Sequence, residues 1–245
     1  RLDTPYIDSL MTHNPRTLAM VTYEPFHQAC SQLKKEKKLR FTGISSHGPR
    51  HGSGDTMDSI LLKAVEDGRY DVVLVVYNFI QKKIGERIID ACKAKDIGVT
   101  LMKTNPIGRY MSLKQRIEVM EKDPNANKGR LDRMKRYMEN LKGSVKDGDW
   151  FLKKHNLSKP SEVRVASTKY ALSYPGSHSL LARTDSFEDM EQFLKASGTP
   201  ITNSEKKTLA AYKHGFGKIY CRHACGICES ACPKNVPINT IMRYN

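Results

Sequence analysis

Asp71-Val-Val-Leu-Val-Val-Tyr77 is the stretch that decides the fold. It is an unbroken apolar run of strand length. A strand with one wet face alternates apolar and polar residues, whereas a strand covered on both faces does not, and such double cover is the mark of a parallel sheet. The flanks agree. Upstream, Met57, Ile60, Leu61, Ala64 and Val65 recur at helical spacing, with Asp55 as the expected N-terminal cap and Gly68 as the stop. Downstream, Ile84, Ile88, Ala91 and Cys92 line one side of another helix.

The same alternation extends both ways. Residues 39–45 and 97–103 read as strands on either side of this unit, the second entered through Gly98. Nearer the start, residues 6–12 form a short strand ending at His13, where Asn14 and Pro15 break the run. A helix from about Glu24 carries Phe26, Ala29, Cys30 and Leu33 on one face and positive charge in its last turn. Ser158 and Pro160 open a helix through Val163, Ala166 and Tyr170, and residues 177–182 make a fifth strand. Every connection is long enough to cross over, which predicts a parallel sheet with right-handed crossovers.

Two architectures suit five alternating strands: an open doubly wound sheet, or part of an eight-stranded barrel. No Gly-x-Gly-x-x-Gly follows any strand, so the dinucleotide-binding version of the open sheet lacks its fingerprint. The expected fold class is therefore α/β with a parallel sheet, and the (β/α)8 TIM-type barrel is the better supported of the two architectures. Residues 105–160 interrupt it as a charged insertion that holds the only tryptophan, Trp150, and carries no readable function. A helix near 186–195 follows, and Thr202-Asn-Ser-Glu205 is a capping box opening a helix toward Tyr212. The expected division is a barrel over 1–200 and a small helical extension over 201–245.

Composition narrows the function classes. The chain has 245 residues, 39% of them hydrophobic, and no apolar run approaches the length of a membrane span. Its 41 Lys and Arg against 26 Asp and Glu give a net charge of +15. These charges are scattered through amphipathic helices rather than gathered into one arm, which reads as solvated helix faces and not as a nucleic-acid footprint. Cys30 and Cys92 fall on apolar helix faces as unpaired packing residues, which suits a reducing cytoplasm. The chain opens at Arg1 without Met or a signal-like segment, which predicts a longer protein upstream. An upstream twin-arginine signal that exports folded cofactor proteins is the alternative location.

The remaining four cysteines, Cys221, Cys225, Cys228 and Cys232, lie within twelve positions at C-x3-C-x2-C-x3-C-P, with Pro233 last. Disulfides here would close only small strained loops. Structural zinc takes two ligand pairs separated by a longer loop, which this run does not supply. An iron-sulfur cluster is the third reading, since cube-type clusters take thiolates from a tight loop whose last Cys precedes Pro. The run resembles a bacterial ferredoxin-type 4Fe-4S motif, with three residues rather than two in its first gap. That gap is also similar to the C-x3-C-x2-C of radical enzymes using S-adenosylmethionine, which carry it near the start of a barrel. Either Cys232 closes a single cluster or the fourth ligand lies elsewhere.

Several strand ends, in order, are similar to the aldo-keto reductase family. Residues 1–8 up to His13 resemble that family's fourth barrel strand, and Phe41-Thr-Gly-Ile-Ser-Ser-His47 its fifth. Tyr77-Asn78 resembles the end of the sixth, Leu101-Met-Lys103 the seventh, and residues 179–183 the eighth. The terminal helix and cysteines resemble a subgroup with an appended 4Fe-4S domain. The resemblance implies His13 as the catalytic histidine, Ser45, Ser46, Asn78, Lys103 and Arg183 as cofactor-binding residues, and NADP(H) as cofactor. The family's Asp, Tyr and Lys come from strands this sequence lacks, and Arg183-Thr184 departs from the family's phosphate loop. His47 and His51, in a glycine-rich loop, read as solvent-facing.

Two functions follow as expectations. One is an oxidoreductase that interconverts a small carbonyl or alcohol substrate with a nicotinamide cofactor, joined to electron transfer through a 4Fe-4S cluster. The other is a non-catalytic electron-transfer or scaffold subunit that keeps the barrel as a docking body for a redox partner protein.

Overall fold

The computed structural model describes residues 3–48, 55–106, 116–144, 160–182, 184, 186–216, 228, 231–234, 236 and 238. It divides into two compact units, one from Arg1–Thr104, Ala171–Leu181 and Ile219–Asn245, the other from Asn105–Tyr170 and Ala182–Lys218.

The first unit is built on β1 (Ile7–His13), β2 (Leu39–Ser45), β3 (Val72–Val76), β4 (Gly98–Met102) and β5 (Ser179–Leu180). All four neighbouring pairs are parallel, and the spatial order is β1-β2-β3-β4-β5. That order never reverses, so this sheet has no topological switch point of the kind that defines a doubly wound fold. Right-handed crossovers that always step in one direction bring their helices to one face of the sheet. The helices between β1 and β4 are α1 (Leu18–Val21), α2 (Glu24–Lys35), α3 (Met57–Asp67) and α4 (Lys83–Ala94).

The core lies under those helices. Ile44, Val73, Val75, Val99 and Leu101 are at most 1% exposed, and they share a face because Ile44 aligns with Val73, Val73 with Val99 and Val75 with Leu101. Ile60, Leu61 and Ala64 of α3 and Ile88, Ile89 and Cys92 of α4 are fully buried. Burial of a large aliphatic side chain contributes roughly 1.5–3 kcal/mol, so this layer supplies much of what holds the sheet in register. The opposite face carries His13, Ser45, Leu74, Thr100 and Ser179 at aligned positions. Here Gly43 lets Met11 cross the sheet surface: a Cβ at Gly43 would lie 2.6 Å from Met11 Cγ and 3.2 Å from the Val72 carbonyl oxygen.

Three local details depart from the sequence reading. The cap of α3 is Thr56, whose hydroxyl accepts from Ser59 N, while Asp55 Oδ2 accepts from Leu18 N at 2.7 Å and tethers the start of α1. The short helix α1 has too few residues to show periodicity. The fifth strand shrinks to two residues because the Val99 N–H donates to the His178 imidazole Nδ1 at 3.0 Å, a side chain standing where a strand carbonyl would.

The second unit is helical, with Lys128–Ser144, Pro160–Leu172 up to its boundary at Tyr170, Phe187–Ala196 and Asn203–Phe216. The capping box forms as expected: Glu205 N donates to Thr202 Oγ1 at 3.2 Å and Thr202 N to Glu205 Oε2 at 2.7 Å. Burial works against ionised Glu205, yet Lys169 Nζ at 2.9 Å and the Thr202 donors hold its carboxyl below the usual range. Arg164 and Asp189 form a buried ion pair, and the Arg164 guanidinium stacks over Phe193 at 5.8 Å. No described helix is long and apolar enough to cross a membrane.

Candidate active site

Strand ends at the C-terminal edge of a parallel sheet release side chains from the ladder, and the polar residues of this chain collect there. At the end of β1 the ladder continues one residue past the strand, with Asn14 N donating to the Ser45 carbonyl at 2.8 Å. Asn14 itself adopts φ +54°, a left-handed conformation that asparagine tolerates, and the chain turns away toward Pro15. This turn leaves His13 exposed beside Ser45.

His13 Nδ1 lies 2.7 Å from Ser45 Oγ. Ser45 is 1% exposed, so the ring of an exposed residue is anchored on a buried hydroxyl. The ring of His47 meets His13 edge to face, with centroids 5.1 Å apart and planes at 74°. His47 is held in turn through its backbone N–H, which donates to Asn14 Oδ1 at 2.7 Å. Ser46 is fully buried and its Oγ accepts from Gly48 N at 3.1 Å, closing a tight turn.

A second group sits at the ends of β3 and β4. Asn78 is fully buried; its Oδ1 accepts from Ile80 N at 3.0 Å and Gln81 N at 2.7 Å, and its Nδ2 donates to the Lys103 carbonyl at 3.1 Å. Lys103 is exposed and takes φ +55°. A hydrogen bond joins His13 to Ser45 and a ring contact joins His13 to His47, making one cluster, and a hydrogen bond joins Asn78 with Lys103 in another. Arg183 and His51 lie outside the described residues.

Reading from sequence missed Asn14 as the support of His47, and took His47 as solvent-facing when it is half-buried against His13. The signal for Asn14 was present in the Asn-Pro break, where a side chain able to bond locally precedes a forced turn. Among the side chains assigned to a nicotinamide, Ser46 keeps its hydroxyl hydrogen and Asn78 one amide hydrogen uncommitted among the described residues. Both are donors of the kind a carboxamide oxygen accepts from, but both side chains are fully buried and neither is open to a ligand in this structure.

At the cysteine motif, Cys228 and Cys232 are half-buried free thiols. Thiolate donors suit iron in sulfide clusters, so this donor set fits that group in chemistry. Cys221 and Cys225 lie outside the described residues, and no group of three or more metal-ligating side chains occurs among those described. By contrast Cys30 and Cys92 are buried in the core, and burial pushes the Cys92 thiol up to about 12 and raises that of Cys30, as expected of inert packing thiols.

A parallel α/β sheet with polar side chains gathered at its C-terminal edge defines the class. The model of the aldo/keto reductase family matches residues 1–213, and the chain belongs to that family. No curated protein sequence matches it. Among solved structures it is similar to the glycerol dehydrogenase AKR11B4 from Gluconobacter oxydans, at 16% identity and a TM-score of 0.48, covering 91% of this chain and 61% of that one. It is also similar to Gox0644 in its apo form, at 12% identity and a TM-score of 0.46, covering 85% of this chain and 59% of that one. The chain spans about three fifths of each of those structures.

Proposed function

We propose that the protein is an aldo-keto reductase-type oxidoreductase, interconverting a small carbonyl and its alcohol with a nicotinamide cofactor, and that its sheet is an arc of a (β/α)8 barrel. The observation that carries this reading is His13: an exposed imidazole at a strand end, anchored through Nδ1 to Ser45 and leaving Nε2 for a ligand. An imidazole held this way orients and polarises a substrate oxygen. By resemblance Ser46, Asn78, Lys103 and Arg183 are the further residues assigned to the cofactor, and the full burial of Ser46 and Asn78 requires their cover to move before a carboxamide could reach them. A bound nicotinamide supplies or accepts the hydride, a two-electron transfer.

The cysteine motif extends the proposal. Cys221, Cys225, Cys228 and Cys232 would hold a 4Fe-4S cluster in a helical domain over 201–245, which would exchange single electrons with a redox partner protein. Cytoplasmic location accords with the buried, unbridged Cys30 and Cys92. The docking-body reading draws on Asn78, most of whose hydrogen-bonding capacity is spent inside the fold.

Turnover of an aldehyde panel by the full-length protein with NADPH, together with direct NADPH titration, separates the two. Binding and turnover that fall sharply in His13→Ala support the enzyme. Absence of any nicotinamide binding would leave the docking body.

A further inference from the structure

The charged insertion has no part in the site described above, yet its helix Lys128–Ser144 carries Arg130, Arg133 and Arg136, each three residues after the last. Residues three apart on a helix step sideways by about 60° and forward by about 4.5 Å, so these three share one face as a stripe. All three are exposed. The helix packs by its other side, where Leu131, Met134 and Met138 are half-buried and Lys135 Nζ pairs with Glu121 Oε1 at 2.7 Å. Elsewhere Arg40, Arg69, Arg87 and Arg164 each meet a carboxylate. Arg130, Arg133 and Arg136 meet none among the described residues, although Asp132 stands four positions before Arg136, the spacing at which a helix pair would close. Arg16 lacks a carboxylate partner too, but as a single residue.

We propose that this stripe is a docking surface for an acidic helix of a partner protein, one whose Asp or Glu residues recur every three or four positions and so meet the three guanidiniums at a matching rise. A guanidinium takes a carboxylate through two parallel N–H donors, and arginine is enriched where proteins meet. The neighbours of the stripe favour a protein over a phosphate polymer. A uniformly charged polyanion laid along the helix would also meet exposed Asp132, whereas a protein surface carries discrete carboxylates and leaves that position neutral or basic. A lipid surface needs apolar side chains beside the cations, and the apolar stripe of this helix is turned to its packing side. Docking here involves neither His13 nor the cysteine motif, so it adds to the proposed function without resting on it.

The test is fluorescence anisotropy of full-length protein with a labelled, alanine-based helical peptide bearing Glu at every fourth position. Wild type should bind this peptide, bind its Gln counterpart about tenfold more weakly, and lose affinity as salt is raised. The combined variant Arg130→Gln, Arg133→Gln and Arg136→Gln keeps good helix formers and should bind the Glu peptide about tenfold more weakly than wild type, because three exposed ion pairs of modest strength combine. A control with the same loss of charge at scattered exposed positions, Lys35→Gln, Lys95→Gln and Lys207→Gln, should weaken binding by less than about twofold. Equal losses in the two triple variants would reduce the effect to net charge and overturn the proposal. No binding of the Glu peptide would overturn it as well. So would binding through the stripe that is tighter to single-stranded RNA or to phosphatidylserine vesicles than to the peptide.

Discussion

The side-chain amide of Asn78 donates to the main-chain carbonyl of Lys103 at 3.1 Å, so one half-buried hydrogen bond ties the chain leaving β3 to the chain leaving β4. With its Oδ1 accepting from Ile80 and Gln81, a single side chain fixes two loops at the C-terminal edge of the sheet.

Asn78→Ala removes all three bonds from a fully buried position and leaves backbone donors and an acceptor without that partner. Unsatisfied buried groups cost about 1–3 kcal/mol each, and partial relaxation brings the expected total to roughly 3 kcal/mol. Asn78→Asp keeps the acceptor for Ile80 and Gln81 but faces the Lys103 carbonyl with a carboxylate. Protonation would give that carboxyl a donor, so the loss for Asn78→Asp should shrink as pH falls through the carboxyl range. Urea unfolding of both variants across pH checks this, and a pH-independent deficit in the Asp variant would contradict it.

Gly43 tests how the sheet face opposite the helices is filled. A Cβ there would stand 2.6 Å from Met11 Cγ, too close to the base of that side chain for a small rotation to relieve. Overpacking of this kind typically costs ~1–3 kcal/mol. Gly43→Ala should therefore destabilise wild type and do so less in a Met11→Ala background, where the obstructing atoms are gone. A double-mutant cycle on unfolding free energy reads the coupling. Strict additivity would show that the clash lies with the Val72 carbonyl, 3.2 Å away, instead.

Most of the sheet was legible because the signals lay in local pattern. Residues 39–45 were read as a strand and form β2 without change. Of the run 71–77, β3 keeps Val72–Val76, while Asp71 N and Tyr77 N at its ends still donate to the Thr42 and Met102 carbonyls at 2.8 and 3.1 Å. Gly68 stops α3 with φ +76°, as glycine at a helix end should. What was not legible depended on partners distant in sequence. Asp55 satisfies α1 rather than α3 because Leu18, 37 positions away, comes within reach of its carboxylate. Likewise the pairing of His13 with Ser45 follows from the register of β1 on β2, which no local spacing in either strand reveals.

Two buried phenols predict alkaline behaviour. Tyr70 and Tyr212 are 2% and 1% exposed, and burial raises each from 10 to about 12. Between those values an unfolded chain has released protons that the folded chain keeps. The unfolded state then binds fewer protons, so stability falls as pH rises from 10 toward 12. Such a displacement is worth on the order of 3 kcal/mol per group. Tyr70→Phe loses the bond from its hydroxyl to the Val21 carbonyl at 2.8 Å, a cost of about 1 kcal/mol at neutral pH, but removes one titrating group. Its stability should therefore fall less steeply above pH 10 than that of wild type, as denaturant melts at stepped pH would show.

The cysteine motif gives a prediction about the metal. Four cysteines at C-x3-C-x2-C-x3-C-P, two of them free and half-buried at Cys228 and Cys232, should bind one 4Fe-4S centre. Anaerobically purified full-length protein should be brown and contain about four iron and four sulfide per chain. Each Cys→Ala change at Cys221, Cys225 and Cys228 should remove or degrade that centre. Cys232 decides between two cluster types, because a Cys preceding Pro serves a different cluster in two-cluster ferredoxins, whereas outside the motif this chain has only Cys30 and Cys92, both deep in the core. Loss of iron and of the reduced-state paramagnetic signal in Cys232→Ala would make it the fourth ligand. Iron and signal unchanged in that variant would point to a remote thiolate or to an iron with an open position, as in the radical enzymes whose first two gaps match. One zinc with no sulfide would remove electron transfer from both functional readings, because zinc has no redox change to offer.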